Sequence, residues 1–350
     1  MSTTYRVGLI GCGRMGATID DEVKDRPNSH LYLPYSHAAA AVACQRTELV
    51  AVCDPIEEKA QSIQQRYGAE RAYTDHEEMI RQEGLDIVCI ATRPSPHLGT
   101  VVFAAENGVK GIYCEKPLCN SMREADAMLA ACRDHNVKFN YGTQRRYTGM
   151  YRQMRQLIDE GAIGEINAVM AHVGVGAAQW GHTHGADMLL YLAGDGPIDF
   201  VQGHAVIDDD QWEGDRLTVD PGIAMGYAHF QNGVHGYLLA STGYEFEISG
   251  SKGKLRTLSN GSGYTWRALG DHGDYVDTQG PEAIIESGTL RALEDLAGAL
   301  DDNGQTQGPI ELACRSQEMV LGFVASQRQG GARVELPLAN RDMAIAPDNY

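Results

Sequence analysis

Apolar residues in the first part of the chain come in short runs at 6–10, 48–53, 86–91, 111–114 and 138–141. Between them, at 35–46, 56–67, 76–83, 98–107 and 122–136, apolar positions recur with a helical period and polar residues fill the other face. Asp54-Pro55 and Asn120-Ser121 stand where two of these helices begin, with Asp or Ser placed as N-cap. Strand and helix in alternation predict an α/β domain built on a parallel, doubly wound sheet. The runs carry almost no polar interruption, as strands covered on both faces require.

The pattern changes after about residue 147. A helix at 151–160 and a strand at 166–173 lead into a loop rich in Gly and His, followed by a helix at 184–192. Strand-like runs then follow in series at 200–207, 222–230, 234–241, 244–248 and 254–258, and two helices, 286–300 and 310–327, close the pattern. Asn232-Gly233 between two of the runs is a hairpin signal. Strands in series predict an α+β domain with a largely antiparallel open sheet. The expected division is 1–146 and 147–350, with no internal repeat.

Composition narrows the possibilities. A chain of 350 residues suits about two domains. Its net charge of −18 argues against nucleic acid and against an anionic membrane surface, since both need a cationic face. It suits a neutral small-molecule substrate. No apolar run approaches the length of a membrane span. The eight cysteines include no CxxC pair, and several lie inside apolar runs such as LVAVCD and DIVCIA. That usage predicts buried or half-buried free thiols in a reducing compartment rather than a disulfide framework. With no secretory pattern at the N-terminus, the expected location is cytoplasmic.

The first chemical signal is Gly11-Cys12-Gly13-Arg14-Met15-Gly16, a GxGxxG directly after the strand RVGLI. Each glycine has a reason: a tight turn, close approach of backbone to a pyrophosphate, and tight helix–strand packing. The helix that follows offers free N–H groups to the anion. Asp54 ends the second strand, where a carboxylate accepts from ribose hydroxyls and repels a 2′-phosphate, so the expected cofactor is NAD in preference to NADP. Asp54 stands 38 positions beyond Gly16, about 18 more than usual for such a motif. The surplus reads either as a surface loop or as a segment that covers the site or reaches the substrate.

Two further stretches follow strand ends: Ala91-Thr92-Arg93-Pro94-Ser95-Pro96-His97 and Glu115-Lys116-Pro117. With GCGRMG before them and His184-Gly185-Ala186-Asp187 after them, the order resembles the glucose–fructose oxidoreductase/inositol dehydrogenase superfamily (Gfo/Idh/MocA) over roughly the first 330 residues. EKP is its most specific mark. The resemblance implies a Rossmann domain joined to an α+β domain whose open sheet mediates homo-oligomers, and oxidation of a secondary hydroxyl of a sugar or cyclitol. It makes Lys116 the catalytic lysine, His184 the histidine of the H-x-x-D helix, and Asp187 that motif's acid in a supporting role. Histidine suits the proton transfer because its ordinary pKa is near 6.5, and a lysine cation stabilises a developing alkoxide. Ala91, Thr92, Pro94, His97, Glu115, Lys116, Gln144 and Arg145 are expected to line the cofactor with the glycine turn and Asp54. Arg146 and Tyr147 are expected near the substrate.

The sequence departs from the family at one instructive position. The acid four residues before the histidine is replaced by Trp180, whose ring could stack on a sugar face. His182, two residues from His184, is a second candidate for the same cleft. A metal reading of this His-x-His lacks a third ligand, so no metal is expected. The cluster of acids between Asp208 and Asp220 lacks EF-hand spacing and reads as a solvated loop. Two rival functions remain. Thr183-His184-Gly185 resembles the T-H-G signature of NAD-dependent glycosidases, although Gly181 stands where those enzymes carry tyrosine. A non-enzymatic NAD-binding sensor is the other.

Overall fold

The computed structural model describes residues 3–347, which form two compact units. The first holds the described residues up to Cys119 together with Glu124–Tyr147 and Glu286–Ala313. The second holds Asn120–Arg123, Thr148–Ile285 and the described residues from Cys314 onward.

In the first unit, strands β1 (Tyr5–Ile10), β2 (Thr47–Cys53), β3 (Arg71–Tyr73), β4 (Ile87–Ile90), β5 (Gly111–Cys114) and β6 (Lys138–Tyr141) form one sheet. All pairs are parallel, in the order β3-β2-β1-β4-β5-β6. The order reverses between β1 and β4, and ligands of such sheets bind at the carboxyl ends of the strands beside that point. The crossovers are carried by α1 (Ile19–Val23), α2 (His37–Ala43), α3 (Glu57–Tyr67), α4 (His76–Glu83), α5 (His97–Glu106) and α6 (Met122–Asp134). Ser36 and Asp75 cap α2 and α4 with their side-chain oxygens. The cap expected of Asp54 is not made in that form: the N-cap of α3 is Ile56, without a side-chain bond. The three-residue β3 and the short α1 are invisible to hydrophobic periodicity, because neither is long enough to show one.

The chain returns to this unit late. The helix Gly288–Asp302, expected in the second domain, contributes Ala292, Leu293, Leu296 and Ala297 to the same buried cluster as Val7, Leu9, Leu49 and Ile87. Each buried leucine there is worth roughly 1.5–3 kcal/mol over an exposed one. Asn140 on β6 ties the helix down. Its Nδ2 donates to Ala292 O (2.8 Å) and Asp295 Oδ2 (2.9 Å), while its Oδ1 accepts from Tyr147 Oη and from Gly308 N. An amphipathic stripe tells that a helix covers something, not which sheet it covers.

The second unit is built on a ten-stranded mixed sheet. Its central strand β7 (Ile166–Val173) pairs antiparallel with Glu245–Gly250 and parallel with His235–Ala240; the other pairs are antiparallel. The hairpin at Asn232-Gly233 forms as expected, with Gly233 at φ +84°. The outer strands Gly263–Leu269 and Tyr275–Thr278, not expected from the sequence, are built from strand-forming Tyr, Thr, Trp and Val but bury neither face. Helix α7 (Gly149–Asp159) precedes β7, and α8 (Thr183–Ala193) packs on it. Phe323 of the helix Ile310–Arg328 packs on the sheet where Gly203 and Gly226 leave room; a Cβ at either would lie 2.6 Å from it. The opposite face carries a cluster of Phe200, Tyr227, His229, His235 and Tyr237. Among the described residues no helix is long and apolar enough to cross a membrane. All eight cysteines are buried and free, as expected, and burial pushes the Cys12, Cys53 and Cys132 thiols up to about 12, where they are not nucleophiles at neutral pH.

A π-helical turn, Ala178–His182, leads into α8. His182 is 2 % exposed, and its Nε2 accepts the Gly176 N–H at 3.1 Å. Burial pushes its pKa down to about 4. The unfolded chain takes up this proton near pH 6.5 and the folded chain only near pH 4, so the fold is at full advantage above 6.5 and loses stability as pH falls through that window. His182→Gln should therefore flatten the fall of Tm between pH 6.5 and 4, read by thermal unfolding. A variant whose Tm falls as steeply as the parent's would contradict the assignment.

Candidate active site

The glycine turn sits at the end of β1, beside the point where the strand order reverses. Gly11 has φ +94°, and a Cβ there would lie 2.7 Å from Ala91 O on the neighbouring β4 connection. A Cβ on Gly16 would lie 1.9 Å from Gly11 O. Gly13 is different: a Cβ there would meet nothing within 4 Å. Two glycines are thus demanded by the chain itself, and the third leaves open backbone where an anion can approach. Cys12 is buried, Met15 half-buried and Arg14 exposed. Asp54, 7 % exposed, accepts from Cys12 N (3.0 Å) with one oxygen and from Ile56 N (3.0 Å) with the other. The acid expected to read the ribose therefore also holds the glycine turn against the end of β2. These residues fit a dinucleotide.

The ends of β4 and β5 carry the other expected residues of this unit. Ala91 and Thr92 are half-buried, Pro94 is buried, and Lys116 is half-buried at the cis Lys116-Pro117 bond. Glu115 is 4 % exposed. His37 Nε2 donates to its Oε1 at 3.1 Å, and Lys116 N donates to its Oε2 at 3.2 Å. His97 does not line an opening. It is fully buried, with Nδ1 3.0 Å from Leu118 O and Nε2 3.3 Å from Thr92 O, so it braces the two connections against each other. Arg146 and Tyr147 are likewise fully buried. Arg146 donates to Gln307 O at 2.8 Å, and Tyr147 Oη lies 3.0 Å from Tyr141 O. Arg146 thereby holds the late-returning segment and Tyr147 the end of β6. Gln144 is buried and Arg145 half-buried.

The surplus between Gly16 and Asp54 is an ordered structure. Asp20 accepts from Tyr35 N (2.9 Å) and Ser36 N (2.8 Å), drawing its two ends together. Glu22 takes Arg14 Nε with both oxygens at 2.8 Å, and Asp21 takes Arg66 at 2.6 and 3.1 Å. Ser287 and Thr289 donate to the carbonyls of Pro34 and Tyr35. The Tyr35 ring stacks on Tyr32, centroids 5.3 Å apart, and Gln144 Nε2 donates to its hydroxyl at 3.2 Å. His37 and Tyr35 carry no motif and were not foreseeable as site residues.

In the second unit, Trp180 and His184 lie four positions apart where the π-turn runs into α8. Trp180 is 48 % exposed, His184 is half-buried, and Asp187 is buried at 1 %. Asp220, expected in a solvated loop, instead accepts from Gln179 N (2.8 Å) and Trp180 N (3.0 Å) and so caps this turn. Tyr244, at φ +50°, donates its hydroxyl to Gly181 O at 3.0 Å. His182, expected beside the substrate, is held in the interior by backbone. Among the described residues no group of three or more His, Cys, Asp or Glu side chains is placed to hold a metal ion.

Comparison with known proteins agrees with this geometry. Residues 5–143 match the model of the oxidoreductase family with an NAD-binding Rossmann fold. The myo-inositol 2-dehydrogenase of Thermotoga maritima is 24 % identical over 270 residues, 71 % of this chain and 74 % of that protein. The inositol 2-dehydrogenase of Rhizobium meliloti is 28 % identical over 297 residues, 77 % of this chain and 82 % of that protein. A levoglucosan dehydrogenase solved with NADH and L-sorbose has the same fold, with TM-score 0.76 and 22 % identity over 97 % of this chain and 100 % of that one. The chain is thus an oxidoreductase with a six-stranded Rossmann sheet and a second, mixed-sheet unit, and its first unit matches the Gfo/Idh/MocA family model over residues 5–143.

Proposed function

We propose that the protein is an NAD-dependent dehydrogenase that oxidises a secondary hydroxyl of a cyclitol or sugar. The observation that carries this reading is the glycine turn, closed to side chains at Gly11 and Gly16 and open at Gly13, at the reversal point of the sheet. Bound NAD would supply the hydride acceptor. The backbone of residues 11–16 would hold its pyrophosphate and Asp54 a ribose hydroxyl, with Ala91, Thr92, Pro94, Glu115, Gln144 and Arg145 lining the rest. The preference for NAD rests on Asp54 and on a second feature: Arg14, the cation of the turn, is already engaged by Glu22 rather than left for a 2′-phosphate.

In the reaction the hydroxyl proton leaves as the carbinol C–H bond breaks with its electron pair and C=O forms. His184 takes the proton at a ring nitrogen, and the Lys116 ammonium stabilises negative charge growing on the oxygen. His182 is unsuited to the same task, since its Nε2 is committed to Gly176 and burial disfavours its charged form. Trp180, exposed at the capped turn, offers an aromatic face to an apolar sugar face, and Asp187 supports the helix that carries His184. The aromatic and histidine cluster on the open face of the second sheet supports a homo-oligomer formed through that face. Eight buried free thiols suit a reducing, cytoplasmic location.

The test is reduction of NAD, read as NADH absorbance, over a panel of cyclitols and sugars. Lys116→Ala and His184→Gln should each lower kcat by about 10²-fold or more on the best substrate. The reading fails if no member of the panel reduces NAD. Asp54→Asn removes the charge together with one of the two acceptors that hold the turn, so the ratio between the two cofactors is read rather than either rate alone. It should shift the ratio of kcat/KM for NADP over NAD upward by about tenfold or more, the size expected from relieving a like-charge contact. An unchanged ratio would remove Asp54 from cofactor selection.

A further inference from the structure

We propose that Tyr35, delivered by the segment inserted between the glycine turn and α2, is a specificity-determining residue whose phenolic O–H donates to one particular hydroxyl of the polyol. The inference deepens the dehydrogenase reading above and rests on it.

The orientation of the phenol is the central observation. Gln144 Nε2 donates to the phenol oxygen at 3.2 Å. The oxygen is therefore occupied on its accepting side, and its own proton is left to give. Among the described residues no acceptor lies within hydrogen-bond reach of that proton. A donor in this condition is available to an acceptor on a ligand.

The position of the phenol is equally determined. Its backbone N–H is held by Asp20 and its carbonyl by Thr289, the preceding Pro34 carbonyl is held by Ser287, and its ring is stacked on Tyr32. Little side-chain freedom remains to be lost when a ligand binds, which is what makes a hydrogen bond selective. Gln144 is buried with Arg145 beside it in sequence, and the charges of Arg145 and Glu115 both act on the phenol. Burial holds its pKa above the ordinary tyrosine value, so the group is a neutral donor at pH 7. Glu115 is the residue before Lys116, so the phenol belongs to the neighbourhood of the proposed catalytic lysine within this unit. The ligand class that fits is a neutral ring polyol, whose hydroxyl accepts from the phenol and keeps its own proton for another partner. A site built around such a bond discriminates against an analogue that lacks the hydroxyl.

The test compares the parent protein with Tyr35→Phe, which removes one oxygen and keeps the stacked ring. Substrates are the best polyol from the panel and its series of monodeoxy analogues; NADH affinity is followed by fluorescence. The parent should discriminate strongly against one monodeoxy analogue. Tyr35→Phe should lower kcat/KM on the full polyol by about 3- to 10-fold and leave that one analogue unaffected within twofold, with NADH affinity also within twofold. Equal kcat/KM in parent and variant for every active polyol would overturn the proposal. So would a loss of NADH affinity in step with kcat/KM, which would place the contact on the dinucleotide. If the parent oxidises no polyol at all, the dehydrogenase reading itself fails and this proposal falls with it, an outcome visible before any variant is made.

Discussion

The carboxyl group of Glu115 is the constraint on which the first unit's site depends. It sits at the end of β5, 4 % exposed, where water cannot serve it, so the chain must supply its partners. One is His37, itself fully buried and packed on Tyr113 with ring centroids 4.4 Å apart; the other is the N–H of Lys116. The first bond fixes where α2 must begin. The second fixes how the chain leaves the strand into the cis Lys116-Pro117 bond, and so where the lysine starts. Between Gly16 and His37 the chain can then be long, because both ends are held and closing a longer loop costs little. Asp20 closes that loop by taking the two N–H groups just before His37.

The second unit solves a similar problem with different groups. The turn that presents Trp180 and leads to His184 has no capping side chain of its own. Its free N–H groups go to Asp220, its Gly181 carbonyl is served by Tyr244, and its Gln179 side chain is matched by Gln317 at 2.6 Å. None of these partners is near in sequence. Tyr244 does this from a left-handed backbone conformation, which a bulky residue adopts only where its surroundings compel it. The exposed indole is thus carried on a turn held at several points rather than on a free loop.

The architecture was legible wherever a single element advertised its own environment. The strands of the parallel sheet read as uninterrupted apolar runs because both their faces are covered, and GCGRMG reads as a phosphate turn because Gly11 and Gly16 have no room for a side chain. Long-range pairing was not legible. Nothing local in SHAAA reveals that His37 meets a glutamate 78 positions later, nor does LTVDPG reveal that Asp220 caps a turn 41 positions earlier. The same limit hid the interior partners of His97, Arg146 and His182. Each stands in or beside a recognisable motif, yet each has its polar atoms turned to backbone carbonyls or amides in the interior.

The return of Gly288–Asp302 to the first sheet bears on how the chain is made. During synthesis the six strands of that sheet are all available once residue 141 has emerged, but the leucines that close its core and the carbonyl that satisfies Asn140 are still more than a hundred residues away. Until they arrive, β5 and β6 lack the helix that packs on them. The second unit, by contrast, has most of its sheet in one uninterrupted stretch. The nascent first unit must therefore remain incomplete while the segment that follows it is being made, which makes the last fifth of the chain a participant in folding the first unit.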